Sequence, residues 1–188
     1  PILENPTYWT ISPSSLTASF PSQTSPLTQN FCISANGTHN DLEVVIVPIT
    51  AAAPGFTSKY KVIYKNKGTH TQSGNLSLNY NDNLMDFNSA TTSPVTQSSG
   101  LLNWNFSNLL PFETREITVT YTLNTPTATP PLNGGDILNF NSLIIGATDE
   151  TPSDNNFALN QTVVYSFDPN DKTCLEGSSI ATTKVGDY

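Results

Sequence analysis

The sequence predicts an all-β fold, a two-layer antiparallel sandwich, and three observations carry that reading. Fourteen Pro and ten Gly are spread along the 188 residues and leave almost no room for a three-turn helix. Apolar and polar residues alternate with period two in one short run after another, the pattern of a strand with one face in a core. These runs, about seven at spacings of roughly ten to twenty residues, are separated by turn residues and never by helical intervals. A closed barrel is the alternative architecture.

Composition agrees with a protein working outside the cell. Hydrophobic residues make up 36% and charged residues only 12%, so Ser, Thr and Asn supply the solubility. The length allows one domain with a real core and part of another. A formal net charge of -8 with seven cations repels phosphate and argues against a nucleic-acid partner. Four of those cations, Lys59, Lys61, Lys65 and Lys67, fall at alternate positions and are expected on one exposed strand face that resists edge pairing. No apolar run is long enough to insert in a membrane as a helix. The start at Pro1 without Met reads as a piece of something longer.

The elements follow in order. Tyr8–Ile11, Leu16–Phe20, Gln29–Ser34 and Leu42–Ile49 are β-prone runs, the second alternating Leu16, Ala18 and Phe20 against Thr17 and Ser19. At Ala51–Gly55 the string AAAPG breaks the Val and Ile pattern with a Pro-Gly turn signal, and a domain boundary is expected there, after residue 52. Tyr60–Tyr64 is the next strand, closed by a turn at Asn66–Gly68. Leu76, Leu78 and Tyr80 face one way on the strand after it, with Asn81-Asp82-Asn83 as a hairpin tip. Leu102, Trp104 and Phe106 share a face, and Trp104 is the expected central aromatic of the core. Ile117, Val119, Tyr121 and Leu123 alternate with Thr118, Thr120 and Thr122. A Pro-rich connection then leads to the run Ile137–Ile145. The last strand lies within Asp149–Lys172, where Phe157, Leu159, Val163, Val164, Tyr165 and Phe167 separate two acidic clusters.

Several strings resemble a known family. FTSKYKVIYKNKGTHTQSGNLSLNYNDNL (56–84), with its Y-x-x-x-Y-x-N-x-G-T run, resembles the opening of immunoglobulin-like repeat modules in large bacterial surface proteins. LLNWNFSNLLPFETREITVTY (101–121) resembles their middle pair. DETPSDNNFALNQTVVYSFDPNDK (149–172), followed by VGDY, resembles the join to a next module. Such arrays resemble proteins exported by the type IX secretion route. LENPTYWTISPSS and FPSQTSPLTQNFCI resemble the final strands of a prealbumin-like or collagen-adhesin-B-type module. The resemblance implies residues 1–52 as the end of that module, 53–172 as an immunoglobulin-like sandwich, and 173–188 as a linker and first strand of a following module. It further implies a non-catalytic structural or adhesive stalk at the bacterial cell surface or secreted, whose partners are neighbouring modules of the same polypeptide, glycans or other surface proteins.

Chemistry is sparse. The acidic residues Asp149, Glu150, Asp154, Asp168, Asn170 and Asp171 carry the oxygen atoms that calcium prefers, without the spacing of the twelve-residue calcium loop. The alternative is that Asp154 and Asn155 make Asx turns and Pro169-Asn170-Asp171 is an ordinary turn, their side chains bonding their own backbone. Cys32 and Cys174 either form one long-range disulfide or stay as two unpaired thiols, and their spacing from His39 and His70 gives no zinc pattern. Tyr8 and Trp9 offer aromatic faces to a glycan or pack beneath a loop. Without a nucleophile elbow, a zinc-protease motif or a phosphate loop, the sequence predicts no enzyme. A carbohydrate-binding module and an accessory domain of a secreted hydrolase are the alternative functions.

Overall fold

The computed structural model describes residues 2–165, and all regular structure among them is β. The eleven strands are β1 (Trp9–Ser12), β2 (Cys32–Ala35), β3 (Leu42–Pro48), β4 (Thr57–Asn66), β5 (Gln72–Tyr80), β6 (Met85–Ala90), β7 (Thr96–Ser98), β8 (Leu101–Leu109), β9 (Thr114–Leu123), β10 (Ile137–Ile145) and β11 (Asn156–Thr162). Strands β3-β4-β9-β6 form one sheet and β11-β10-β5-β8-β7 the other, with every neighbouring pair antiparallel. This is the antiparallel sandwich that the alternation predicts, of the immunoglobulin-like kind that the resemblance implies.

The alternation becomes the core directly. Leu42, Val44 and Ile46 of β3, Tyr60, Val62 and Tyr64 of β4, and Ile117, Val119, Tyr121 and Leu123 of β9 are buried from one sheet. Leu76, Leu78 and Tyr80 of β5, Leu102, Trp104 and Phe106 of β8, and Leu138, Phe140 and Ile144 of β10 meet them from the other. Trp104 is buried as expected, and its indole N–H donates to the Thr92 carbonyl at 2.8 Å. The aromatic centre, however, is Tyr121, with Tyr80 at 4.8 Å, Phe140 at 5.8 Å and Tyr60 at 5.9 Å between ring centroids. Tilted and edge-on arrangements of this kind add to the gain from burial alone. Gly74 sits at a register shift between β5 and β8, where a Cβ would collide with the Ile145 carbonyl.

Three expectations need correction, and two strands were not foreseen. The boundary expected after residue 52 falls inside the sandwich. Strand β3 precedes it and pairs with β4 from Leu42↔Asn66 to Pro48↔Tyr60, so the core begins at Leu42. The run Leu16–Phe20 forms no strand and leaves Leu16 44% and Phe20 58% exposed: no strand pairs with it, and Ser19 bonds locally to Gln23 instead. Strand β4 lies between β3 and β9, so its lysines guard no edge. Strands β6 and β7 were not legible: a register shift between Phe87 and Ser89 breaks the period of β6, and β7 has only three residues.

Residues 2–41 form an arm ahead of the sandwich, in which β1 and β2 pair from Trp9↔Ala35 to Ser12↔Cys32. Cys32 is exposed on β2, while Cys174, Phe167 and the stretch 173–188 lie outside the described residues.

Candidate functional site

The candidate residues gather where the arm meets the sandwich, and a turn puts them there. Asn66 at the end of β4 is fully buried. Its amide donates to the carbonyls of His70 at 2.8 Å and Leu109 at 2.9 Å, and its Oδ1 accepts from the Gly68 N–H at 3.0 Å. A buried amide satisfied on both sides fixes the backbone around it. Gly68 lets the chain at His39 and Asp41 pass against this turn, since a Cβ there would collide with the His39 carbonyl. The bracket holds Lys67 beside Lys65, both reaching Glu4, and its side chain is covered to 10% exposure.

Around Lys67 stand four carboxylates. Its Nζ lies 2.7 Å from Asp154 Oδ2, 3.4 Å from Glu4 Oε1 and 3.8 Å from Asp41 Oδ1. Asp41 is fully buried; its Oδ2 accepts from Asn5 Nδ2 at 2.8 Å and from the Thr151 hydroxyl at 3.3 Å. Asp149 closes the far side, Oδ2 accepting from the Leu42 N–H at 2.8 Å and Oδ1 from the Thr151 N–H at 2.7 Å. Burial pushes the Asp41 carboxyl above the usual carboxylate range, although the Lys67 charge opposes it. Burial alone would pull the Lys67 ammonium down, but the hydrogen bond to Asp154 and the charges of Asp41, Asp154 and Glu43 hold it well above the usual lysine range.

Glu150 turns away from this group and engages His39, with Nδ1 at 2.9 Å from its Oε1. The other ring nitrogen lies 2.9 Å from the Asn36 carbonyl oxygen. Two acceptors facing two ring nitrogens favour the imidazolium, and the Glu150 hydrogen bond foremost raises the His39 pKa. Tyr8 stacks on the same imidazole at 4.1 Å, and Trp9 stacks on Phe112 at 4.3 Å. Each of the two aromatic faces considered for a glycan is thus covered on one side. Phe112 presents its ring from a left-handed backbone, φ 64°, in the turn between β8 and β9.

Of the six residues considered for calcium, the structure brings Asp149 and Asp154 together and separates Glu150 from them. Asp168, Asn170 and Asp171 lie outside the described residues. Asp41 and Lys67 are the members of this cluster that sequence reasoning missed. Lys67 was expected on the exposed lysine face; it does share Glu4 with Lys65, but Glu4 of the arm and Asp154 cover it. Asp41 carried no signal, because its burial depends on Asn5, Thr151 and Lys67 arriving from distant parts of the chain.

No protein-family model matches the chain, and no curated protein sequence does. Solved structures do. The CARDB domain of a Pyrococcus furiosus protein, solved in complex with di-metal ions, is 18% identical over 67% of this chain and 90% of that one, at a TM-score of 0.47. CaCohA2 from Clostridium acetobutylicum is 14% identical over 67% and 92%, at 0.44. A cohesin module from a Clostridium perfringens family 33 glycoside hydrolase is 10% identical over 69% and 99%, at 0.39. At these identities and scores the likeness carries no ligand, partner or activity across to this chain.

Proposed function

We propose that the chain is a non-catalytic stalk module of an extracellular bacterial protein, a rigid spacer that transmits force between its neighbours. One observation carries this reading: the first and last strands of the sandwich run side by side in the same direction. The Val44 N–H donates to the Asp154 carbonyl at 3.1 Å near their beginnings, and the Val164 N–H donates to the Ala52 carbonyl at 2.8 Å near their ends. Between them Gln161 Nε2 donates to the Thr50 carbonyl at 3.2 Å. The chain therefore enters the sandwich at one end and leaves it at the other. Tension between those points loads the contacts along the strands in shear, so they must yield together instead of opening one by one.

The arm extends the spacer at the entry end. It is fastened there by Glu4 against Lys65 and Lys67, Asn5 against Asp41, Tyr8 on His39 and Trp9 on Phe112. These join residues far apart in sequence without composing any nucleophile and base in contact. Force spectroscopy tests the reading, with the chain held between marker domains and stretched from its ends. A stalk gives one cooperative rupture, at lower force in Val44→Pro, which lacks the donor to Asp154. Gradual extension at low force, unchanged in Val44→Pro, would overturn the proposal.

A further inference from the structure

The acidic junction carries more negative charge and more free acceptor capacity than its own lysine satisfies. Asp41, Asp149 and Asp154 each direct a carboxylate oxygen into one space, all within 4.8 Å of one another. Asp41 Oδ1 and Asp154 Oδ1 are buried and accept no hydrogen bond. Lys67 relieves neither fully, since it bonds Asp154 through Oδ2 and stands 3.8 Å from Asp41 Oδ1, beyond hydrogen-bond reach. With Glu4 shared between Lys65 and Lys67, four carboxylates against two ammonium groups leave two negative charges in a site closed by Thr151 and the start of β3. A fully buried carboxylate oxygen without a partner is costly, and native structures seldom keep one unless something else occupies its lone pairs.

We propose that Asp41, Asp149 and Asp154 bind a divalent cation, calcium, at the joint between arm and sandwich. Two oxygens sharing one calcium ion at about 2.3–2.6 Å stand no more than roughly 5 Å apart, and the three carboxylates meet that limit. The ligand set is oxygen alone, which suits a hard cation, and the nearby His39 ring is already engaged on both nitrogens. Calcium fits better than magnesium because the donors converge irregularly. Magnesium demands a near-octahedral shell and gives up water reluctantly. Asp41 Oδ1 and Asp154 Oδ1 are the anchoring ligands. Asp149, with both oxygens held by backbone N–H groups, contributes a remaining lone pair. The site differs from the one expected along Asp149–Asp171: it recruits Asp41 from the other end of the chain, so the ion would fasten the arm. This proposal stands apart from the force-transmitting reading, which needs no ion.

The test uses the whole chain, stripped with EDTA and titrated with calcium chloride or magnesium chloride by calorimetry, with thermal melts alongside. Calcium is expected to bind in the roughly 10⁻⁴–10⁻³ M range of extracellular modules and to raise Tm, with magnesium clearly weaker. Asp154→Asn should lose roughly tenfold or more in calcium affinity, while Asp86→Asn on the exposed side of β6 keeps it. Asp41→Asn is the harsher variant; Asp154→Asn, half-buried, keeps the test readable if Asp41→Asn fails to fold. Absence of both binding heat and Tm shift in the native sequence at millimolar calcium would overturn the proposal. So would calcium binding that Asp154→Asn and Asp41→Asn leave intact.

Discussion

The two ends of the sandwich are closed by opposite means. At the entry end, Lys67, Asp41, Asp149 and Asp154 form a buried ionic joint that needs the arm to complete it. At the exit end, Ala52, Leu132 and Val163 are buried, and the backbone bonds Gly135 N–H to Val163 O and Val164 N–H to Ala52 O, both 2.8 Å, close the module. The ionic end derives its stability from balance among charges, and removing one member leaves the rest unsatisfied. The apolar end loses only what is removed. The arrangement thus concentrates sensitivity to ions and substitution at the joint between segments.

Lys67→Met tests this contrast most severely. With the ammonium gone, the Asp41 and Asp154 carboxylates face each other unneutralised, and urea unfolding should show a loss of about 3 kcal/mol. Adding Asp41→Asn to Lys67→Met should recover part of it. A loss no larger than that of Lys59→Met, whose side chain lies on the exposed face of β4, would remove the distinction between the ends.

Leu132→Ala samples the apolar end. It empties a fully buried site, and urea unfolding should show a loss of about 2–3 kcal/mol. No second substitution among charged residues should rescue it. Rescue by Asp41→Asn would mean that the two ends are energetically one.

The smallest effect belongs to Asp82, the carboxylate of the exit-end turn between β5 and β6. It accepts from the Tyr80 hydroxyl at 3.0 Å and from the Ser99 hydroxyl at 2.7 Å, and the Ser99 bond foremost holds its pKa below the usual value. A lowered folded-state pKa stabilises above the unfolded value near 3.8, and the gain disappears as pH falls through the folded value. The group is only half-buried and open to solvent screening, so Asp82→Ala should lower stability at pH 7 by less than about 1 kcal/mol. Melts of the two proteins should converge below pH 3.8, and a constant difference down to pH 2 would contradict the sign.

The legibility of the sequence divides along the same line. The alternation of Ile117, Val119, Tyr121 and Leu123 was readable because a period of two needs only local sequence, and a sheet turns it into a core without further instruction. The hairpin tip at Asn81–Asn83 was readable for the same reason, and Asn81 Oδ1 does accept from the Asn83 N–H at 3.1 Å. The run LTASF alternates equally well yet stays a loop, since alternation cannot supply a partner strand. The joint was half legible. Acidic residues at Asp149 and Asp154 were visible, but nothing local marks Asp41 as buried or Lys67 as covered, because 36 to 110 residues separate Asp41 from Asn5 and Thr151 and 87 separate Lys67 from Asp154.

Native-state hydrogen exchange at the amides of Val44 and Val164 tests the central claim most directly, since these two donors join the first and last strands at opposite ends of the sandwich. In a module that yields as one body they open only on global unfolding, so both should exchange with the slow core amides of β4 and β9. Exchange of either as fast as the exposed backbone of the arm would show that the strands part independently, and would contradict a module built to carry tension from end to end.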